Sequence, residues 1–258
     1  MILKIISILI SASLFISVSD GSSLYNFKGT SPDKAFTCNQ QVQPEKHDID
    51  NLKNLPLVIT NAKFHSKDMP VALILSGDGG WFGFEQSIAD NLSDLGIPVI
   101  GFDSRKYFWN RRSPEETVNA ITELLNYYCK EWERDRVLLI GYSFGSEIVP
   151  FIVTNFPEGM KSKIVSTVLL SPETYTDFEV HISNMLGLGN SMNTYNVTDE
   201  IIKMKAIPTI IIYGEGEKSR LPELLGGTTV KIIRIPGDHH YKFNLPLIIQ
   251  TMKNNNAF

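Results

Sequence analysis

The sequence predicts an α/β fold, a mostly parallel central sheet with helices on both faces. Three observations predict it. Short β-favouring runs alternate with helical patterns of ten or more residues, the rhythm of βαβ units. The apolar run Val137 to Gly141 enters a Gly-x-Ser-x-Gly motif, and a helical pattern leaves it through Phe144, Ile148 and Phe151 or Ile152. Polar, glycine-rich groups follow Leu75, Phe102, Ile140, Ile212 and Ile235, and open parallel sheets gather their chemistry at such strand ends.

The elements follow in order. Lys4 gives the N-terminus a positive charge, Ile5 to Val18 is apolar, and Ser17-Val18-Ser19 offers the small residues of a cleavage site. Residues 1–19 are therefore expected to be a secretory signal peptide. The apolar run of about 14 residues is short for a bilayer span, and no later segment is long and apolar enough for one. Residues 20–54 are polar and aperiodic and are expected to form a loose arm. Residues 55–258 are expected to form one domain. Its strands are Leu55 to Lys63, Val71 to Ser76, Pro98 to Phe102, Val137 to Gly141, Ile164 to Leu170, Thr209 to Tyr213 and Thr229 to Ile235. One helix runs through Phe84, Ile88, Leu92 and Leu95 and ends at Gly96. Another opens on the capping box Ser113-Pro-Glu-Glu116 and buries Val118, Ile121, Leu125, Tyr128 and Trp132. A last helix runs from Leu245 to Met252. Residues 173–203 break the rhythm and are expected to form an excursion over the active face.

Composition narrows the function. With 43% hydrophobic and 20% charged residues the chain can build a sizeable core. A formal net charge of −4 supplies no basic footprint for nucleic acid. For an exported chain, Cys38 and Cys129 have two readings. They either form a bridge across a loop of about 90 residues, worth up to about 4–5 kcal/mol, or are two unrelated thiols with Cys129 facing the core. Neither has a His or Cys at metal-ligand spacing, so no metal is indicated and no cofactor is expected.

The strand ends suggest a nucleophilic site. The motif has the form of a nucleophile elbow presenting Ser143. A serine hydroxyl needs a base, and His239 or His240 supplies an imidazole. A carboxylate must orient that imidazole, and Glu217 or Glu215 supplies it. The order Ser, acid, His is that of α/β-hydrolases. The spacing Gly214-x-x-Glu217 favours Glu217, and the position of His240 past Pro236 favours it slightly over His239. Oxyanion donors are expected from the Phe144 N–H and from the loop Asp78-Gly79-Gly80.

Together the stretches SGDGGW (76–81), GFDSRKYFW (101–109), GYSFGSEIVPF (141–151), FEVHI (178–182), YGEGEK (213–218) and PGDHHY (236–241) resemble the VirJ/AcvB family of bacterial virulence proteins. The resemblance runs from about Val71 to Met252 and implies a periplasmic α/β-hydrolase fold. It also implies one of two roles. One is hydrolysis of lysyl-phosphatidylglycerol; the other is a part in type IV secretion, in which a non-catalytic factor would bind secretion components or cargo. It carries Ser143, Glu217 and the pair His239/His240 as the catalytic set. The chain lacks the cysteine expected after the YGxxE motif and has Ser219, Arg220 and Leu221 there. For a cationic substrate, Asp78, Asp103 and Glu179 are the candidate carboxylates, unless Asp78 and Asp103 serve loop amides. Trp81, Tyr107, Phe108 and Trp109 either form an apolar rim for lipid or belong to the core.

Overall fold

The computed structural model describes residues 52–180 and 194–258, all within one compact unit. The expected signal peptide, the arm up to residue 51 and Cys38 lie outside the described residues. Within them no helix is long and apolar enough to cross a membrane.

Seven strands form the central sheet: β1 (Leu57–Thr60), β2 (Val71–Leu75), β3 (Val99–Phe102), β4 (Val137–Tyr142), β5 (Ile164–Leu170), β8 (Thr209–Gly214) and β9 (Lys231–Ile235). A separate antiparallel pair, β6 (Tyr175–Thr176) and β7 (Tyr195–Asn196), brackets the undescribed residues 181–193. The main order is β1-β3-β2-β4-β5-β8-β9, and only the edge strand β1 runs antiparallel. Strands β2, β3, β4 and β8 are buried along their whole length. Burial on both faces is why they read as unbroken apolar runs.

Helices cover each face. Leu73, Leu75 and Leu139 pack with α3 (Pro114–Glu131), α4 (Phe144–Asn155) and α6 (Val197–Lys203). Their neighbours Ala72, Ile74, Leu138 and Ile140 pack on the other side with α1 (Gly83–Ser93) and α8 (Leu245–Asn254). Shorter turns are α2 (Ser104–Tyr107), α5 (Glu158–Lys161) and α7 (Leu221–Leu224). The capping box forms as expected: Ser113 Oγ accepts from the Glu116 N–H at 3.1 Å, and Glu116 Oε2 accepts from the Ser113 N–H at 2.8 Å. Cys129 is buried in α3, and burial pushes its thiol up.

Two strands are shorter than their sequence patterns. The Leu55–Lys63 run yields only Leu57–Thr60, because Pro56 has no N–H to give a ladder and Lys63 turns its N–H to the Ser93 carbonyl. The Thr229–Ile235 run begins at Lys231, because the Thr228 hydroxyl draws the Val230 N–H into a turn. Strand β3 lies on one side of β2 and β4 on the other, so the order in which the chain adds parallel strands reverses there. A crevice opens beyond the ends of β2 and β4, with the Gly77–Gly80 loop on one bank and Ser143 on the other.

Candidate active site

Ser143 joins β4 to α4 with φ 49° and ψ −121°. A non-glycine residue in that region costs about 1–3 kcal/mol and persists only where its surroundings hold it. Here the Ser143 N–H donates to the Leu170 carbonyl at 2.8 Å, and the Ser143 carbonyl accepts from Ser146 N–H at 2.8 Å. The two motif glycines make the turn possible by close approach. A Cβ on Gly141 would lie 2.5 Å from the Gly145 carbonyl oxygen, and one on Gly145 would collide with the backbone of Leu75.

The loops after β8 and β9 are stitched together by Glu215 N–H to Ile235 O and Gly216 N–H to Gly237 O, both 2.9 Å. This brings Glu217 against the Pro236–Tyr241 turn. His239 Nδ1 lies 2.8 Å from Glu217 Oε2, and His239 Nε2 lies 3.0 Å from Ser143 Oγ. An ionised Glu217 accepts only, so Nδ1 carries the proton and Nε2 is free to accept from the serine hydroxyl. The Glu217 hydrogen bond raises His239 above the ordinary imidazole value; burial opposes this, and the charges of Asp78 and Glu173 add to it. Burial also opposes the charge on Glu217. The hydrogen bonds from His239, Ser171 and the Gly214 N–H outweigh that and hold its carboxyl below the ordinary range.

The preference for His240 is corrected. Its Nδ1 lies 2.7 Å from the Tyr142 hydroxyl, whose oxygen is also 3.2 Å from the His239 carbonyl. A proton from His240 Nδ1 to Tyr142, and one from Tyr142 to the His239 carbonyl, satisfies both contacts. His240 thus buttresses the turn that carries His239. Glu215 is exposed and takes no part in the chain of contacts from Ser143.

Ser143, His239, Tyr142 and the Gly77–Gly80 loop line a cleft of about 650 Å³. Phe144 opens α4, so its N–H is one of the donors a helix start leaves without an intrahelical partner. In the loop, the Gly80 N–H is committed to the Gly77 carbonyl at 3.0 Å and the Gly77 N–H points to Glu85 Oε1 at 3.5 Å. Gly80 is therefore corrected from donor to turn-closing residue, and the N–H groups of Asp78 and Gly79, two residues of the cleft lining, remain the loop's candidate donors. Among the described residues no group of His, Cys, Asp and Glu is disposed to hold a metal ion.

The family model for the bacterial virulence protein VirJ matches residues 68–256. The chain belongs to the VirJ family. No functionally curated protein matches it in sequence. Solved structures share its α/β-hydrolase fold at low identity. Est1E from Butyrivibrio proteoclasticus with bound ferulic acid is 16% identical, covers 78% of this chain and 93% of its own, and superposes with a TM-score of 0.58. A putative dienelactone hydrolase from Klebsiella pneumoniae is 11% identical over 79% of this chain and 93% of its own, with a TM-score of 0.59. An alpha-beta serine hydrolase homologue from Coxiella burnetii is 16% identical over 77% and 90%, with a TM-score of 0.53.

In this VirJ-family chain the expected substrate carboxylates separate. Asp78 lines the cleft beside Ser143. Asp103 is 5% exposed, caps α2 by accepting from the Lys106 N–H and pairs with the Lys106 ammonium at 2.9 Å. Glu179 pairs with Arg111 at 3.0 Å. Both are outside the cleft's lining and are corrected as substrate contacts, because cations close by in the fold neutralise them. Trp81 is also outside it: its ring packs over Gly101 and its indole N–H donates to Gln86 at 2.9 Å. Tyr107 and Phe108 are core residues, whereas Trp109 is 49% exposed.

Several supporting residues had no sequence motif of their own. Ser171, at the end of β5 with φ 56°, donates to Glu217 Oε1 at 2.7 Å and meets the buried Tyr241 hydroxyl at 2.6 Å. Because Ser171 gives its proton to Glu217, Tyr241 shares its single proton between Ser171 and the Ile212 carbonyl 2.8 Å away. The one sequence signal for Ser171 is its place immediately after the apolar run Ile164–Leu170, at a strand end like those that carry Ser143, Glu217 and His239. Glu85 holds the Gly77–Phe82 loop through two backbone N–H groups, and burial raises its pKa. Glu147 sits one turn into α4. Its side chain is partly exposed, yet protein encloses its carboxyl, and that burial pushes it up to about 8. A hydrogen bond with Thr176 works against the rise, and the charges of Glu173 and Asp78 reinforce it.

Proposed function

We propose that this protein is an exported serine hydrolase that cleaves the aminoacyl ester of lysyl-phosphatidylglycerol at the periplasmic membrane face. The observation that carries the proposal is the continuous chain Glu217–His239–Ser143, with contacts of 2.8 and 3.0 Å. In it His239 Nε2 takes the Ser143 proton as Oγ attacks the ester carbonyl. The Phe144 N–H and the N–H groups of Asp78 or Gly79 receive the negative oxygen. His239 returns the proton to the departing glycerol oxygen of the lipid, leaving a lysyl-serine ester. Water, deprotonated by the same imidazole, then releases lysine and restores Ser143.

Asp78 lines the same cleft as the nucleophile, which suits an acyl group bearing ammonium charge. Export rests on the signal-like residues 1–19, and the lipid substrate on the family resemblance. The test is lysine release from lysyl-phosphatidylglycerol in detergent micelles. Wild type should release lysine and Ser143→Ala should not. An unchanged lipid would remove this substrate and leave hydrolysis of other esters standing. Full rescue of a deletion strain's lipid and secretion phenotypes by Ser143→Ala would instead favour a binding role.

A further inference from the structure

A second groove of about 490 Å³ backs onto the catalytic cleft, and the two share Gly79, Gly80 and Phe82 in their walls. Its character is different. Phe82 is 63% exposed and Trp109 is 49% exposed, and both line a surface that also carries Arg105, Lys106 and Asp103. The Arg105 guanidinium lies 5.9 Å from the Trp109 ring centroid and donates to the Gly79 carbonyl at 3.4 Å. Among the described residues Arg105 pairs with no carboxylate, while Lys106 shares Asp103. The stretch 104–113 holds Arg105, Lys106, Arg111 and Arg112; Lys106 is paired with Asp103 in the groove's own wall and Arg111 with Glu179, so Arg105 is the groove's uncompensated cation among the described residues. Exposed aromatic rings beside cations are the composition that settles at a lipid headgroup boundary, rings inward and cations on phosphate.

The geometry points to this groove as a docking surface for an anionic phospholipid bilayer, with Phe82 and Trp109 entering the headgroup region and Arg105 and Lys106 meeting lipid phosphates. The inference deepens the lipid-ester reading above and rests on it. Charge complementarity selects the occupant, and the shared wall at Gly79–Gly80 gives the reason. A phosphodiester held by Arg105 lies across one loop from Ser143, so the glycerol ester of the same lipid reaches the cleft without leaving the membrane.

The experiment uses protein purified after export and carrying Ser143→Ala, so that lipid is bound and not consumed. Sedimentation is measured with phosphatidylglycerol–phosphatidylcholine vesicles and with phosphatidylcholine alone. Each cation near an anionic surface is worth about fivefold in binding. Arg105→Glu, a change of two charges, should therefore weaken binding about 25-fold, and raised salt should do likewise. Trp109→Ser should weaken binding severalfold, and Arg105→Lys should keep it near wild type. Soluble glycerophosphate at equal phosphate concentration should fail to displace the protein.

Equal sedimentation with both vesicle types would overturn the inference. So would unaltered binding by Arg105→Glu in a protein whose thermal unfolding matches the parent. Full displacement by glycerophosphate would replace the bilayer with a soluble phosphate ligand and overturn it too. The two readings fail separately. Vesicle binding with no lysine release by the Ser143 enzyme removes the ester proposal alone, and lysine release without vesicle selectivity removes the docking surface alone.

Discussion

The carboxyl edge of the sheet has two halves that solve different problems. Beyond β4, β5, β8 and β9, the side chains of Ser143, Ser171, Glu217, His239 and Tyr241 are joined by contacts of 2.6–3.0 Å. Beyond β2 and β3, a loop leaves Phe82 exposed beside the cation of Arg105 and the ring of Trp109. The first half is a closed network with little freedom, as a proton relay needs. The second presents unsatisfied surface, which is where a partner gains most from binding. On the reading proposed here, bond cleavage and substrate choice are divided between neighbouring strand ends that meet at the Gly77–Gly80 loop.

The sharpest way to break this division is at the nucleophile. Ser143→Ala should lower kcat/KM for any ester by about a millionfold, the scale seen when a serine of such a relay is removed. A loss under a hundredfold, measured on a soluble chromogenic ester, would place the chemistry elsewhere. Next comes the histidine pair. His239→Ala should cost about 10⁴-fold or more in kcat/KM. His240→Gln removes the imidazole contact to Tyr142 without touching the Glu217–His239–Ser143 contacts and should cost under about tenfold. Steady-state kinetics giving the reverse order would restore the preference for His240.

A smaller effect tests the closed network. Ser171→Ala removes one hydrogen bond from the Glu217 carboxylate and should lower kcat about tenfold while KM stays nearly constant, with Ser171→Thr recovering part of the loss. A change confined to KM would deny Ser171 its role in positioning Glu217.

Smaller again is the pH response. His239 must be neutral to accept the Ser143 proton, and its pKa is raised above 6.5 by Glu217. The acid limb of kcat/KM should therefore fall through an inflection above 6.5 as pH decreases. Asp78→Asn removes one of the charges that raise it and should move the inflection downward. An inflection at or below 6.5 in wild type, or an upward move in the variant, would contradict the electrostatics.

The last effect leaves activity aside and concerns stability. Glu147 has a folded pKa near 8 against an ordinary 4.5, so between these values the folded state binds more protons than the unfolded state. Stability is then lost as pH rises from 4.5 to 8. Glu147→Gln should raise Tm relative to wild type at pH 9 and converge with it near pH 4.5. Each kcal/mol recovered is worth about 2–4 °C. Parallel Tm curves for the two proteins would show that Glu147 is not held neutral.

The relay half was largely legible in the sequence, because its signals are local. A glycine pair around Ser143, a glycine before the acid and a Pro-Gly turn before the histidines each mark a strand end by chain geometry alone. What could not be read was which of two adjacent side chains turns inward. His239 and His240 differ only in the direction each takes from one tight turn, and Tyr142 captures the second. The β2–β3 half was less legible. Asp103 was open between substrate contact and loop amide, and it takes the Lys106 amide and ammonium, while Glu179 looked available until the fold brought Arg111 to it. Trp81 was open between rim and core, and Gly101 decides it by giving the ring a surface to pack on. Phe82, which remains exposed, stood out in no periodic pattern, and exposure is a property of neighbours distant in sequence. The same dependence on tertiary contacts hid Ser171, whose partners Glu217 and Tyr241 are 46 and 70 residues away.

The measurement that bears most directly on the relay is covalent labelling by a fluorophosphonate probe, with the modified peptide identified by mass spectrometry. Wild type should carry one adduct, on Ser143. Ser143→Ala should carry none, and His239→Ala should label at least a hundredfold more slowly, since the attacking oxygen would keep its proton. A folded wild type that takes no label, or that labels on another serine, or a His239→Ala variant that labels at the parent rate, would contradict the account.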